Sequence, residues 1–418
     1  MPWKNTANDA PSFSGRVSRV SSVRSMQVVL ALVLVMVAGC ARAPLKGPEN
    51  SMRAVSAPDL ERLKDDLPIE PLLAAIETQI KYLELNSGNK TFMFAERVIP
   101  QHEYIEGLKR FVELARNIPN QEDFFKAIED EFQFYEVYGD PEWGDVFMTS
   151  YYEPILKGSK RRTKELTQPL YMHPTDMVLV DLSVLDSKFA GEKRYRARVE
   201  NGKLQLYYSR EDIDSKQALK GKKLELYWVD PVDAFILQIQ GSGTIELGRG
   251  KTVRVGYAEQ NGHRYEAVGK FFKTVIPPDE ITLHTIEAYL RSLPKEEMQQ
   301  YLNYNPSYVF FREMDRPAIT MLGVSATDGR TIATDAKYFP KGALGFLVST
   351  KPKFDTADAT VAASFEPMAR FVLDQDVGGA IKGGGRLDLF WGRGAEAKRS
   401  AGVMKQRGKL YYIAPREK

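Results

Sequence analysis

One cysteine and four histidines in 418 residues remove several chemistries at once. Cys40 stands alone, so the chain has no partner thiol for an internal disulfide. His102, His173, His263 and His284 lie far apart, form no short-range ligand pair and have no cysteine to complete a set, so no metal site is expected. The run Gly378-Gly379-Ala-Ile-Lys382-Gly-Gly-Gly385 lacks both the Gly-Lys-Ser/Thr ending of a phosphate loop and dinucleotide spacing, and no cofactor is expected. Long apolar runs are missing: Val28 to Ala38 is too short to span a bilayer comfortably. No internal repeat or low-complexity segment is evident. Excess charge is missing too. The net charge of +3 includes Lys4, Arg16, Arg19, Arg24 and Asp9, and without residues 1–39 the chain carries 54 basic and 54 acidic residues. Nucleic-acid binding therefore lacks its electrostatic footprint.

What is present is an ordinary globular composition, 43% apolar and 27% charged, with length for two sizeable cores. The first 39 residues have the layout of an export signal: arginines, an apolar run, then small residues before Cys40. Val37-Ala38-Gly39-Cys40 resembles a bacterial lipobox, which implies an acylated Cys40 as mature N-terminus; an uncleaved anchor or a buried cysteine is the alternative. Ala41 in place of an aspartate then favours the outer membrane of a two-membrane bacterium, on its periplasmic face. Residues 42–58, with Pro44, Gly47, Pro48, Asn50, Ser51, Ser56 and Pro58, read as an extended tether.

Beyond the tether, apolar residues fall at helical spacing: Leu72, Leu73, Ile76, Ile80 and Leu83, then Ile105, Leu108, Phe111, Val112, Leu114 and Ala115. From Phe147 to about Tyr265, short runs such as Leu204 to Tyr208 and Leu224 to Trp228 suggest antiparallel strands. Helical spacing returns between Ile281 and Tyr304, and Pro317 to Ile413 resumes as short glycine-punctuated strands, consistent with a small closed barrel.

The segment Gln375 to Gly392 sets two acids into strand-like apolar runs. Asp376 ends an alternation carried by Phe371 and Leu373, and Asp388 sits between Leu387 and Leu389 beside Phe390. An unpaired carboxylate there loses hydration, keeps its proton nearer neutral pH and meets the requirement for a general acid. Spacing equally allows both aspartates to cap turns or to pair with Lys382 and Arg386.

In Ala234 to Gly243, read as a strand, Gln238 and Gln240 share a face, and Gly241 and Gly243 let a ligand approach the backbone; a half-exposed strand ending in a turn is the plain alternative. Ser242 lacks the glycine spacing of a nucleophile elbow. Tyr151-Tyr152-Glu153-Pro154 and Asn305 to Phe311 cluster aromatics beside polar groups, as a sugar-stacking groove does, although such clusters are commonly core. Glu153 is expected to be surface-exposed or salt-bridged.

Together these segments resemble the membrane-bound lytic murein transglycosylase A family. The resemblance runs from about Met148 to Tyr412 through Tyr151 to Pro154, Gln238 to Gly243, Gly256 to Ala258 with Asn261-Gly262, Asn305 to Phe311, Arg330 to Asp335 and Asp376 to Gly392. It implies a mainly β fold with a helical N-terminal part, a double-psi β-barrel domain interrupted by a second β-rich domain, and a groove between them. The domain boundaries it suggests are a lipoprotein signal at 1–39, lipidated Cys40 and tether at 40–58, and a helical segment with the first part of the barrel at 59–155. An inserted β-rich domain at 156–317 and a three-aspartate module at 318–418 follow. Asp335, Asp376 and Asp388 match the three aspartates, with Asp388 as the catalytic acid and Asp376, Asp335 and Lys382 supporting. Tyr151, Tyr152, Gln238, Gln240, Ser242, Gly243 and Asn305 are the expected substrate contacts, and the glycan strands of peptidoglycan are the expected partner. A cofactor is not implied, and proteins of cell-wall synthesis or remodelling are compatible further partners. The implied reaction cleaves the bond between N-acetylmuramic acid and N-acetylglucosamine with closure of a 1,6-anhydro ring. A muramidase using water, or a murein-binding lipoprotein without catalysis, is the alternative.

Overall fold

The alternating runs from Phe371 to Asp376 and from Leu387 to Trp391 both lie in strands, Ser364–Asp376 and Arg386–Arg393. The computed structural model describes residues 45–59, 64–86, 88, 90–190, 194–315 and 319–417. The signal and Cys40 lie outside them.

Six strands close on themselves in the order Gln406–Pro415, Ala343–Lys353, Ser364–Asp376, Thr331–Ala333, Arg386–Arg393 and Asp145–Glu153, which returns to Gln406–Pro415. Two of these pairings are parallel: Thr331–Ala333 with Ser364–Asp376, and Arg386–Arg393 with Asp145–Glu153. Closure removes the open edges, and Met148, Phe346, Phe371, Leu373, Leu387 and Leu389 fill the core. Ser364–Asp376 is buried on both faces from Met368 to Gln375, because helices cover its outer side. Those helices are Glu70–Leu85, Gln101–Asn117 and Gln121–Glu131. Leu72, Leu73, Ile76, Ile80 and Leu83 are all buried on the first, and Phe111 of the second meets Phe371 edge-on at 5.1 Å. The expected helical faces are thus core.

Two features of this part of the chain depart from expectation. The tether reading fails for residues 47–55: Gly47 to Asn50 form a tight turn, Ser51 and Met52 are buried, and Met52–Val55 pairs antiparallel with Phe134 to Val137. Low apolar content hid a strand that adds to a sheet already built elsewhere. The helical region is also interrupted by a hairpin, Thr91–Phe94 with Arg97–Pro100, turned through Ala95 at φ +55°.

Between barrel strands Asp145–Glu153 and Thr331–Ala333 the chain builds a second β-rich body. Its largest sheet runs Val309–Met314, Thr252–Gln260, Ser242–Glu246, Ile155–Lys157. Lys203–Leu206 and Glu225–Val229 form short antiparallel pairings, in the two runs whose patterns suggest strands. Ala234 to Gln240 is a helix rather than a strand, part of Pro231–Gln240. Asp230 accepts from the N–H groups of Val232 and Asp233 at 2.9 and 3.1 Å, Pro231 occupies the first turn, and Gly241 at φ +85° ends it. These end signals override the β-branched run. Barrel and insert share a core in which Ala397 and Ala401 of Gly394–Ala401 meet Tyr152, Phe235 and Ile236.

Candidate active site

Sheet register puts two of the three aspartates in one row. Asp388 pairs with Ala333 on one side and Thr149 on the other, and Ala333 pairs with Asp376. A bulge between Ile332 and Ala333 shifts that last pairing by one residue. Two strand spacings separate the backbones of Asp376 and Asp388, about 10 Å.

Leu387 and Leu389 point into the barrel core, so Asp388 points out of it. Its Oδ1 accepts a hydrogen bond from the Thr149 hydroxyl, and Thr149 Oγ1 accepts from Arg386 Nη2 at 3.1 Å. Burial pushes the Asp388 carboxyl above its ordinary pKa; the Thr149 hydrogen bond and the Arg386 charge pull it down, and the Asp376 charge adds to the rise. Oδ2 of Asp388 has no hydrogen bond among the described contacts and is the oxygen left to carry a proton outward. From the insert, Tyr265 lies within electrostatic reach: burial, then the Asp388 charge, raise its hydroxyl pKa.

Asp376 is also pushed up by burial, but its oxygens are occupied. Met321 and Val377 each donate a backbone N–H to Oδ1 at 3.0 Å, and the Tyr151 hydroxyl donates to Oδ2 at 2.9 Å. Asp335 takes the N–H of Lys337 at 3.2 Å and of Gly383 at 2.9 Å, pinning the loop after Asp376 to the loop after Ala333. In the triple glycine of that pinned loop, Gly383 adopts φ +85° and the other two follow from close approach. A Cβ on Gly384 would lie 2.9 Å from the Tyr138 carbonyl oxygen, and one on Gly385 would lie 2.8 Å from the Asp140 nitrogen.

Lys382 is exposed and pairs with none of the three aspartates, which corrects its supporting role. The lysine at this end of the barrel is Lys341, 2.7 Å from Asp374 Oδ1, with side chains 8% and 0% exposed. Thr334 and Tyr412 hydroxyls donate to Asp374 Oδ2 at 2.5 and 2.6 Å.

Of the expected substrate contacts, Tyr151 reaches the site: its ring centroid lies 5.1 Å from that of Phe390. Four others are enclosed with partners of their own. Tyr152 is packed among Val232, Phe235 and Ile236. Gln238 is buried, accepting from Arg210 Nη2 at 2.6 Å, because the helix turns it away from Gln240. Gly243 makes room for packing, since a Cβ there would meet Leu237 Cδ1 at 2.5 Å and the Pro154 carbonyl at 3.0 Å. Gly243→Ala is accordingly expected to cost about 1–3 kcal/mol by overpacking, read as a lower urea midpoint. Asn305 is buried, its Oδ1 accepting from Glu266 N at 3.1 Å and Ser307 N at 3.2 Å, so it clips the segment carrying Tyr265. Gln240 and Ser242 are half-buried at the end of helix Pro231–Gln240, where Gln240 Oε1 accepts from Tyr152 N at 2.9 Å. Glu153 is neither exposed nor salt-bridged: it is 2% exposed, accepts from Thr244 Oγ1 at 3.3 Å, and leaves Oε2 without a partner.

Sequence reasoning did not single out Thr149, Lys341, Asp374 or Tyr265. Thr149 carried a usable signal, as a polar residue two before Tyr151 on the same strand face. Arg386, which spacing allows as an ion-pair partner, acts on Asp388 through charge without closing a direct ion pair.

The chain matches two family models: the MltA specific insert domain over residues 147–312, and the 3D domain over residues 330–414. It is 26% identical over 283 residues to a membrane-bound lytic murein transglycosylase A of Escherichia coli, covering 67% of this chain and 68% of the relative. A membrane-bound lytic murein transglycosylase from Agrobacterium tumefaciens superposes with a TM-score of 0.69 at 26% identity, over 87% of this chain and 98% of that one. MltA from Neisseria gonorrhoeae superposes with a TM-score of 0.64 at 26% identity, over 90% and 98%. The acid-bearing strand, and all but a few strand-end residues of the closed barrel and the inserted β-rich body, lie within the matched residues, and the chain belongs to the membrane-bound lytic murein transglycosylase A family.

Proposed function

We propose that the protein is a peptidoglycan lytic transglycosylase that cleaves between N-acetylmuramic acid and N-acetylglucosamine and closes a 1,6-anhydro ring, in cell-wall turnover. The observation that carries this is the inequality of the three aspartates: Asp376 and Asp335 have both oxygens filled, whereas Asp388 keeps a free Oδ2 and a raised pKa. One carboxyl group suffices for a reaction with an internal nucleophile. Protonated Asp388 donates to the glycosidic oxygen as the bond to C1 breaks. As carboxylate it takes the proton of the C6 hydroxyl, whose oxygen bonds to the same C1. Proximity of C6 to C1 stands in for a bound water. A hydrolase would need a second carboxylate free to activate water, and Asp376 is committed to two N–H groups and a tyrosine.

Tyr151, Gln240, Ser242 and Tyr265 are the residues we assign to the glycan groove beside Asp388, with positioning and transition-state contacts as their work. The E. coli relative has been solved with bound chitohexaose, and its curated name is membrane-bound. The lipobox at Cys40 supports anchoring here to the periplasmic face of the outer membrane.

Release of soluble fragments from purified murein tests the activity; a protein that binds murein and releases none would instead be a tether. Activity is expected to fall as pH rises through the raised Asp388 pKa, because the proton to be donated is lost. Thr149→Val removes a donor to the carboxylate, raises that pKa further and moves the alkaline limb to higher pH. A pH–rate profile with the limb displaced downward would contradict this.

A further inference from the structure

The described body begins at Leu45, five peptide steps after Cys40, and five steps cannot exceed about 18 Å. Its point of entry is fixed by side-chain and backbone contacts. Leu45 Cδ2 packs on Gly384, 3.1 Å from where a Cβ would stand. Lys46 and Gly47 each donate an N–H to Asn50 Oδ1 at 3.2 Å. Ser51 then ties the turn to both neighbouring segments, donating its hydroxyl to the Tyr338 carbonyl at 2.9 Å and accepting the Tyr138 N–H at 2.7 Å.

Three exposed lysines surround that entry point: Lys46 on the turn, Lys337 before Tyr338, and Lys382 before Gly383. Asp335 binds the N–H groups of Lys337 and Gly383 on its two oxygens, so Lys337 and Lys382 flank one buried carboxylate. Glu49 is the exposed acid of the same turn, and it forms no ion pair with them among the described contacts. A lipid on Cys40 sits in the bilayer, and attraction between lysines and anionic lipid fades within a Debye length of about 8 Å. A body entered through a pinned turn at so short a reach presents this end, and not another, to the surface.

We propose that the face formed by Lys46, Lys337 and Lys382 docks on a bilayer surface carrying anionic phosphate headgroups. This rests on the reading of Cys40 as a lipid attachment site. It gives Asp335 a second consequence, because bracing the catalytic-end loops also holds two of the three lysines in place.

The test is sedimentation of the body Leu45–Lys418, whose buried cores lie wholly within it, with vesicles of phosphatidylcholine alone or mixed with phosphatidylglycerol. Binding is expected only to the mixed vesicles and is expected to weaken with salt. Replacing all three residues, Lys46→Gln, Lys337→Gln and Lys382→Gln, is expected to lower it on the order of a hundredfold. The triple change to arginine is expected to retain it, which separates charge from folding. Equal binding by the glutamine variant overturns the proposal. So does a loss of binding to murein sacculi with vesicle binding unchanged, which would assign the lysines to peptide carboxylates of the wall. Palmitate labelling of the full chain beside Cys40→Ser decides the anchor separately: no label removes the anchor reading, while the vesicle result alone decides the face.

Discussion

Asp388→Asn is expected to lower murein cleavage by about 10²–10⁴-fold, the range general acid–base catalysis supplies, while the protein stays folded. The amide keeps the shape of the carboxyl and an acceptor for the Thr149 hydroxyl, but it has no proton to give. Burial already disfavours the Asp388 anion, so a neutral side chain should leave stability equal or higher. The sign follows from linkage. The folded state holds the Asp388 proton more tightly than the unfolded chain, so the wild type loses stability as pH rises from the ordinary aspartate value to the raised one. The variant lacks that loss. Turnover on murein and thermal unfolding at neutral pH check both halves. Retained cleavage in the variant would remove Asp388 from the chemistry.

The second large effect concerns stability. Lys341→Met leaves the Asp374 carboxylate wholly buried without its cation, and a cost of about 3–5 kcal/mol is expected, as for other half-broken buried pairs. Burial pushes the Asp374 pKa up, and Lys341 is the first influence opposing it. Without Lys341 the pKa rises further, so the deficit should be large at neutral pH and shrink as acid protonates Asp374. Adding Asp374→Asn should recover part of the loss, because the amide needs no cation and still meets the Thr334 and Tyr412 hydroxyls. Urea unfolding at neutral and acid pH measures each step. A deficit independent of pH would mean that packing, not charge, set the cost.

The acid-bearing strands were readable because their pattern is local: Leu387 and Leu389 alternate with Asp388, and that period fixes which side leaves the core. The helices at Glu70–Leu85 and Gln101–Asn117 were readable for the same reason. What stayed hidden depends on distant partners. Nothing near Met52 announces that Val137 will pair with it, and nothing in Gln238 tells that Arg210 will occupy its oxygen. Thr149 and Asp388 are far apart in sequence and meet only when parallel strands align. The helix Pro231–Gln240 is a different case, since Asp230-Pro231 and Gly241 stood in plain view and outweigh the β-branched residues between them. Neighbouring aromatics on one strand resist sequence reading. Tyr151 and Tyr152 are neighbours, yet strand alternation sends one to Asp376 and the other into the core.

The most direct test of the account is the mass of the fragments released from purified murein by the unaltered protein. A single acid with a free oxygen and an internal nucleophile predicts muramic acid ends lighter by one water than hydrolysis would leave, in 1,6-anhydro form, and their disappearance with Asp388→Asn. Ends carrying that water, with a free reducing group, would contradict it and would mean that a second group activates water at this site.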